Sequence, residues 1–442
     1  MNPTLVLAAA EAEVADFSTT PWWLTLIKAV AIVLYLIASV IMALWVERRL
    51  LGRMQTRLGP NVAGPLGLFQ AFADAGKLLF KEDIWTSRAD KFLYFLAPTI
   101  MAFTAFSVMA VIPMGPNVSM FGHSTPLQVA DMPVAALYIL AVTSLGLYGI
   151  VLGGWSARST LPLFGAVRSS AQVISYELSM GLALTSVFLM SGSMSTSEIV
   201  ASQTPFWWGL PLLPAFIIYM ISMVGECNRL PFDLPEAEGE LVAGHMTEYS
   251  SMKFGWYYLS EYINMLNVSA VATTMFLGGW HAPWPFNNVE AMSGGWWGIL
   301  WFLIKVWFFM ILMIWTRATL LRFRYDQFMN LGWKILVPIA LAWVVIVALI
   351  QGVRLWSDTS VPMIAAIIIG VAILCVFIGL WAFGDKDDKD TNADEPFDAY
   401  AGGYPVPPLP GQSLPPSPRA GRAPIATTVN AITDSAEEQT DE

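Results

Sequence analysis

Residues 225–242 read GECNRLPFDLPEAEGELV and lie between two long apolar stretches. With Glu248 included, the segment Glu226–Glu248 holds six carboxylates against one arginine, Arg229. Charge of this density is too costly for a lipid-facing span, so the flanking helices must hold the loop at a membrane surface. Close like charges favour retention of protons near neutral pH, so a carboxylate cluster there points to proton handling. A solvated loop with a few surface acids is the plainer alternative. Pro231, Pro235, Phe232, Leu234, Leu241 and Val242 argue instead for a folded, packed loop. Glu236, Glu238 and Glu240 alternate and share one face if extended.

The surrounding chain decides the class. It has 442 residues, of which 56% are hydrophobic and 13% charged, and its 19 tryptophans do not fit an ordinary soluble enzyme. Apolar runs recur near the ~20 residues that cross ~30 Å of hydrocarbon. The ~10-residue alternation of a β-barrel is missing. The reading is an all-α polytopic membrane protein with about nine transmembrane helices, near 22–46, 91–113, 131–153, 169–191, 211–226, 256–279, 297–320, 335–352 and 361–384. Segment 66–82 (LGLFQAFADAGKLLFKE) is too short and polar to span. Leu68, Phe69, Phe72, Leu79 and Phe80 share one helical face, opposite Asp74, Lys77 and Lys81, which predicts an amphipathic helix in the interface plane. The expected organisation is an extracytoplasmic segment 1–20, a helical domain 21–384 containing the acidic loop 226–255, and a tail 385–442. The tail carries 12 acidic and 4 basic residues and a proline-rich run, a composition that predicts disorder.

Arginine and lysine concentrate in alternate loops, with Arg354 as the exception. The positive-inside rule then places the N-terminus outside and the tail in the cytoplasm. Two cysteines and three scattered histidines supply neither a disulfide framework nor metal-ligand spacing. No cofactor-binding motif is present, so any redox centres belong to partners. Within the spans, Glu177 and Lys305 fall at similar depths. A structural salt bridge between them is the plain reading, and a proton relay the sharper one. Lys28, close to the outer end of the first span, reads as a snorkelling side chain. Arg317, Arg322, Arg324, Tyr325, Asp326 and Lys334 form a second charged cluster.

Four stretches carry a family resemblance: ERRLLGRMQTRLGPNVAGPLGLFQAFADAGKLLFKE (Glu47–Glu82), RSSAQVISYELSMGLAL (Arg168–Leu184), GECNRLPFDLPEAEGELVAGHMTEYSSMKFGWYYLSEYIN (Gly225–Asn264) and RFRYDQFMNLGWK (Arg322–Lys334). Over about residues 20–350 the sequence resembles the mitochondrial subunit 1 family of proton-translocating NADH–quinone oxidoreductase, respiratory complex I. The resemblance implies a multi-pass subunit of the cell inner membrane at the junction of membrane and peripheral arms. A lipid-soluble quinone, ubiquinone or menaquinone, enters between the amphipathic helix and spans one and six. The chain binds no cofactor alone; FMN and iron–sulfur clusters belong to partner subunits, and the partners include membrane lipid but no nucleic acid. Residue by residue, Arg48, Arg57, Asp74, Arg229, Asp233, Glu236 and Arg317 are implied along the quinone cavity. The implied proton path comprises Glu47, Tyr176, Glu177, Glu226, Glu236, Glu238, Glu240, Glu248, Tyr249, Glu261 and Lys305. A membrane anchor of a related hydrogenase or other complex-I-like dehydrogenase is the alternative, and an independent transporter a third reading.

Overall fold

The computed structural model describes residues 15–18, 20–204, 206–233, 242–283, 286 and 295–356, the last four without side chains. These residues are almost wholly helical. The long elements are α1 (Trp22–Met54), α2 (Gln70–Phe80), α3 (Lys91–Val108), α4 (Ala135–Ser156) and α5 (Thr160–Ser191). They are followed by the short α6 (Thr196–Ala201), then α7 (Leu213–Glu226), α8 (Ser251–Phe276) and α9 (Trp297–Thr319). The short α10 (Tyr325–Asn330) leads through a π-helical turn, Leu331–Leu336, into α11 (Val337–Trp356). One antiparallel hairpin, β1 (Asn117–Met120) and β2 (His123–Pro126), joins α3 to α4, with Asn117 opposite Pro126.

Six helices are long and apolar enough to cross a membrane: α1, α3 with its terminal turn, α4, α5, α9 and the continuous run Tyr325–Gly352. Their exposed faces are apolar, with Leu26, Val30 and Leu34 on α1 and Ile304, Phe308 and Ile311 on α9. In water such stripes would drive aggregation; facing lipid they cost nothing. The chain is therefore a multi-pass membrane protein. The expected span 361–384, the segment 1–14 and the tail lie outside the described residues.

Two expected spans depart from the ordinary pattern. Helix α8 is long but carries Glu261, Asn264 and Asn267, too polar for a lipid-facing helix. It is the central helix, packed against α1, α2, α3, α7 and α9. Every residue from Met265 to Phe276 is buried, so its polar groups meet protein partners instead of lipid: Asn267 Nδ2 donates to the Ala105 carbonyl at 2.7 Å. Helix α7 has 14 residues, which at 1.5 Å per residue is about 21 Å, short of the ~30 Å hydrocarbon core. It ends against its neighbours, and Glu226 marks the place where it stops.

The predicted amphipathic helix is present at Gln70–Phe80, preceded by a tight turn at Pro65–Gly67, and packs on α1 and α8. Helices α1 and α5 extend beyond their apolar runs, to Met54 and back to Thr160, because the flanking polar residues are good helix formers or face other protein segments. Gly165 lets α5 approach the 244–246 turn closely. A Cβ there would stand 2.5 Å from the Gly244 Cα, a contact the backbone must move to relieve. Gly165→Ala is expected to cost about 1–3 kcal/mol, seen as a lower thermal inactivation temperature of the assembled complex. An unchanged temperature would show that the two segments separate freely.

Candidate functional site

The site grows from the turn that follows α7. Helix ends leave carbonyl groups unmatched, and a buried end needs partners for them. Gln172, fully buried on α5, donates from Nε2 to the carbonyls of Gly225 and Phe232, both at 2.8 Å. The side chain thus clamps both ends of the turn. Within it, the Phe232 N–H donates to the Arg229 carbonyl at 2.8 Å, and the Phe323 N–H reaches the Pro231 carbonyl at 3.1 Å. The Phe232 ring sits among Tyr176, Phe323 and Phe328, with centroids 4.8–5.6 Å away. Tyr176 stacks on Phe328 and donates its hydroxyl to the Phe328 carbonyl at 3.1 Å. Asp233 is buried and faces Arg322 at 3.4 Å.

The clamp delivers Arg229 to Glu47, near the C-terminal end of α1. The Glu47 side chain is 5% exposed and its Oε1 lies 3.5 Å from Arg229 Nη1. The same oxygen pairs with Arg317 of α9. Its Oε2 accepts the Tyr262 hydroxyl of α8 at 2.6 Å, and Tyr262 in turn lies 3.3 Å from the Tyr258 hydroxyl. The Arg229 guanidinium also stacks over the Tyr262 ring at 4.3 Å. Its Nε and Nη2 have no partner among the described residues. Burial works against its charge, but Tyr262, Glu261 and Glu47 outweigh that and hold it well above its usual range. Leu44, Glu47, Arg48, Leu51, Gln55, Leu230, Tyr258, Tyr262 and Arg317 together line a cavity of about 360 Å³. At its rim Arg48 pairs with Asp74 of α2 at 2.5 Å. Arg57 is exposed and donates to Gln55 Oε1 at 2.9 Å.

The opposite face of the same turn lines a second, smaller cavity of about 40 Å³, room for about two or three waters. Glu226, Cys227 and Asn228 contribute from the turn, Glu261 and Asn264 from α8, and Thr143 from α4. Oε2 of Glu226 and Oδ1 of Asn228 are buried without a partner among the described residues. Burial pushes the Cys227 thiol far up, with Glu226 adding to the effect, so it stays protonated and unreactive. Glu177 of α5 accepts hydrogen bonds from Ser144 and, at 3.3 Å, from Thr143. Thr143 therefore joins Glu177 to the cavity that Glu226 and Glu261 line.

Other expected residues are placed elsewhere. Glu236, Glu238 and Glu240 lie outside the described residues. The Glu248 carboxylate accepts from Thr86 at 3.4 Å, and its carbonyl from Tyr94 at 2.5 Å. Tyr249 stacks on Tyr94 at 4.1 Å and lies 3.1 Å from the Ser156 hydroxyl; burial raises its pKa. Glu177 and Lys305 do not pair. Lys305 donates to three backbone carbonyls beyond the far end of α8, because the turn at 277–281 folds in over it. Lys28 does not snorkel: it is buried under the hairpin and donates to Thr125 and Pro126. No cluster of metal-ligating residues occurs among the described residues. Sequence reading missed Gln172, Tyr258, Tyr262 and Asn264. Each is a polar group inside an apolar helix, and that was the available signal.

The two ion pairs of Glu47 and Arg48 differ in worth. Replacing one partner of a buried pair costs about 3–5 kcal/mol, whereas an exposed pair contributes about 0–1 kcal/mol. Glu47→Gln should therefore lower the thermal inactivation temperature of the assembled complex clearly more than Arg48→Gln. Equal effects would contradict the burial of the Glu47 cluster.

A family model described as NADH dehydrogenase matches residues 27–348. The matched span begins inside α1, ends inside α11, and includes the clamped turn, both cavities, the amphipathic helix and the central helix. That is most of the chain and all of the site, and it agrees with the absence of cofactor motifs in a multi-pass bundle. The chain belongs to the NADH dehydrogenase family, as a membrane subunit of the complex I type.

Proposed function

We propose that the chain forms the entrance and membrane-side wall of a quinone chamber and passes the charge change of quinone reduction to carboxylates in the bundle. One observation carries this reading: the turn Glu226–Leu230 is the wall between two cavities. Leu230 and the partner of Arg229, Glu47, line the larger one. Glu226, Cys227 and Asn228 line the smaller one. On α8, Tyr258 and Tyr262 face the first and Glu261 and Asn264 the second.

The larger cavity opens beside α2 and the rim pair Arg48–Asp74, a fitting approach for a ligand arriving from lipid. Arg57 stands near the C-terminal end of α1 and Asp233 beside Arg322, both within reach of the approach. FMN and iron–sulfur clusters in partner subunits of the peripheral arm supply the electrons, and this chain binds none of these groups itself. Reduction adds two electrons to the quinone, which then takes up two protons. Negative charge appearing in the chamber competes with Glu47 for Arg229 and Arg317. Any shift of Arg229 pulls on a backbone clamped at both ends by Gln172, and Glu226 lies three residues away. A buried carboxyl oxygen without a partner answers such a change most cheaply by gaining or losing a proton. Thr143 and Glu177 continue the path along α4 and α5, with Tyr176 packing beside it. Glu236, Glu238, Glu240, Glu248 and Tyr249 belong to the loop that approaches this region from the peripheral side. Membrane-arm partners complete proton translocation. In this reading the chain sits in the cell inner membrane with its N-terminus outside and its tail in the cytoplasm.

Glu226→Gln keeps size and removes ionisation. It is expected to lower inhibitor-sensitive NADH:quinone turnover roughly 10-fold or more, with NADH oxidation by an upstream artificial acceptor unchanged. Equal loss in both assays would place the defect in assembly and reject a role at the quinone stage.

A further inference from the structure

Lys305 is 7% exposed in α9, and no carboxylate pairs with it among the described residues. Its Nζ donates to the carbonyls of Leu277 at 2.6 Å, Gly279 at 3.0 Å and His281 at 2.7 Å, and lies 4.2 Å from the centre of the Trp207 ring. Carbonyls only accept, so these contacts use three N–H donors. An ammonium has three and a neutral amine two. The indole face adds a cation–π contact that also favours the charged form. Burial and the Lys305 charge hold the neighbouring His281 imidazole down to about 4, so it remains neutral. Asp131, which is tied to the start of α6, is engaged by the Ser195 and Ser197 hydroxyls.

Lys28 repeats the arrangement. It is 6% exposed, donates to Thr125 Oγ1 at 2.9 Å and the Pro126 carbonyl at 3.1 Å, and sits 5.1 Å from the centre of the Phe17 ring. Both lysines lie toward one end of the bundle. Glu47, Arg317 and Tyr262 meet, so α1 and α9 run in parallel and α8 runs against them. Lys28 is then about 28 Å from Glu47 along α1, and Lys305 about 18 Å from Arg317 along α9. Glu226 and Glu261 sit near the Glu47 end.

We propose that Lys305, supported by Lys28, is an electrostatic seal: a fixed, buried positive charge that repels protons moving from the carboxylate cavity toward the far end of the bundle. Protons handled at Glu226 and Glu261 are then directed sideways to partner subunits and do not leak through this one. Fixed positive ends in channels exclude protons by the same means. The inference rests on the proton-path reading of Glu226, so its test uses a readout separate from turnover.

The complete complex, reconstituted in liposomes, is given an imposed pH gradient, and passive proton entry is followed with a trapped pH dye. A unit charge about 10 Å from the path at an effective dielectric of about 20 changes passage roughly tenfold. Lys305→Gln, which retains a hydrogen-bond donor and loses the charge, is expected to raise the leak by that order. Lys305→Arg is expected to stay tight. Adding Glu226→Gln to Lys305→Gln should suppress the leak. A tight Lys305→Gln complex overturns the proposal. So does a leak shared by Lys305→Arg, or one that persists in the double variant, since either reports loosened packing. If Glu226→Gln alone leaves quinone turnover intact, the proton-path reading fails by itself, whatever the leak shows.

Discussion

A helix that stops inside a bundle must have its last carbonyl groups met, and the architecture depends on how Gln172 does this for α7. The two bonds from its amide, at 2.8 Å each, hold Gly225 and Phe232 and so fix the loop between them. Buried backbone without partners would cost several kcal/mol in an apolar surrounding. With the turn fixed, Arg229 reaches Glu47 and Glu226 faces the other way. One short segment thereby becomes a wall with a cationic side and a carboxyl side.

The Glu47 cluster illustrates how a buried charge is tolerated. One carboxylate serves two arginines and a phenol drawn from α1, α8, α9 and the turn. The net positive charge this leaves in the wall suits a chamber that receives an acceptor of electrons. The cluster also locks three helices together at one end, which keeps the lipid-facing elements in register with the site. Helix α8 is the hub of that arrangement. Its polarity would be prohibitive against lipid and is acceptable because other helices enclose it.

Charges of opposite sign are separated along the bundle. The buried ammonium groups of Lys28 and Lys305 are neutralised by carbonyl dipoles and aromatic faces, not by carboxylates, among the described residues. The carboxylates gather toward the Glu47 end. A charge held only by dipoles keeps its field, and that field is what gives the bundle an electrical direction.

Hydropathy alone placed the long helices and the amphipathic segment 70–80, because apolar period and length are properties of consecutive residues. The carboxylate-rich run at 225–242 was likewise visible as a local excess of charge. Local pattern says nothing about which faces meet. Glu177 and Lys305 share a depth in the sequence reading, yet the bundle gives them different partners. Lys28 looked interfacial and is covered by a hairpin more than 90 residues away in the chain. Gln172 is one amide in an apolar helix, and its importance depends on a turn that arrives 53 residues later. Composition and local pattern were enough for an all-helical membrane protein with an acidic loop and four stretches of family likeness. Which of its charges face each other emerged only from packing, because ion pairs and cavities depend on distances that no linear spacing sets.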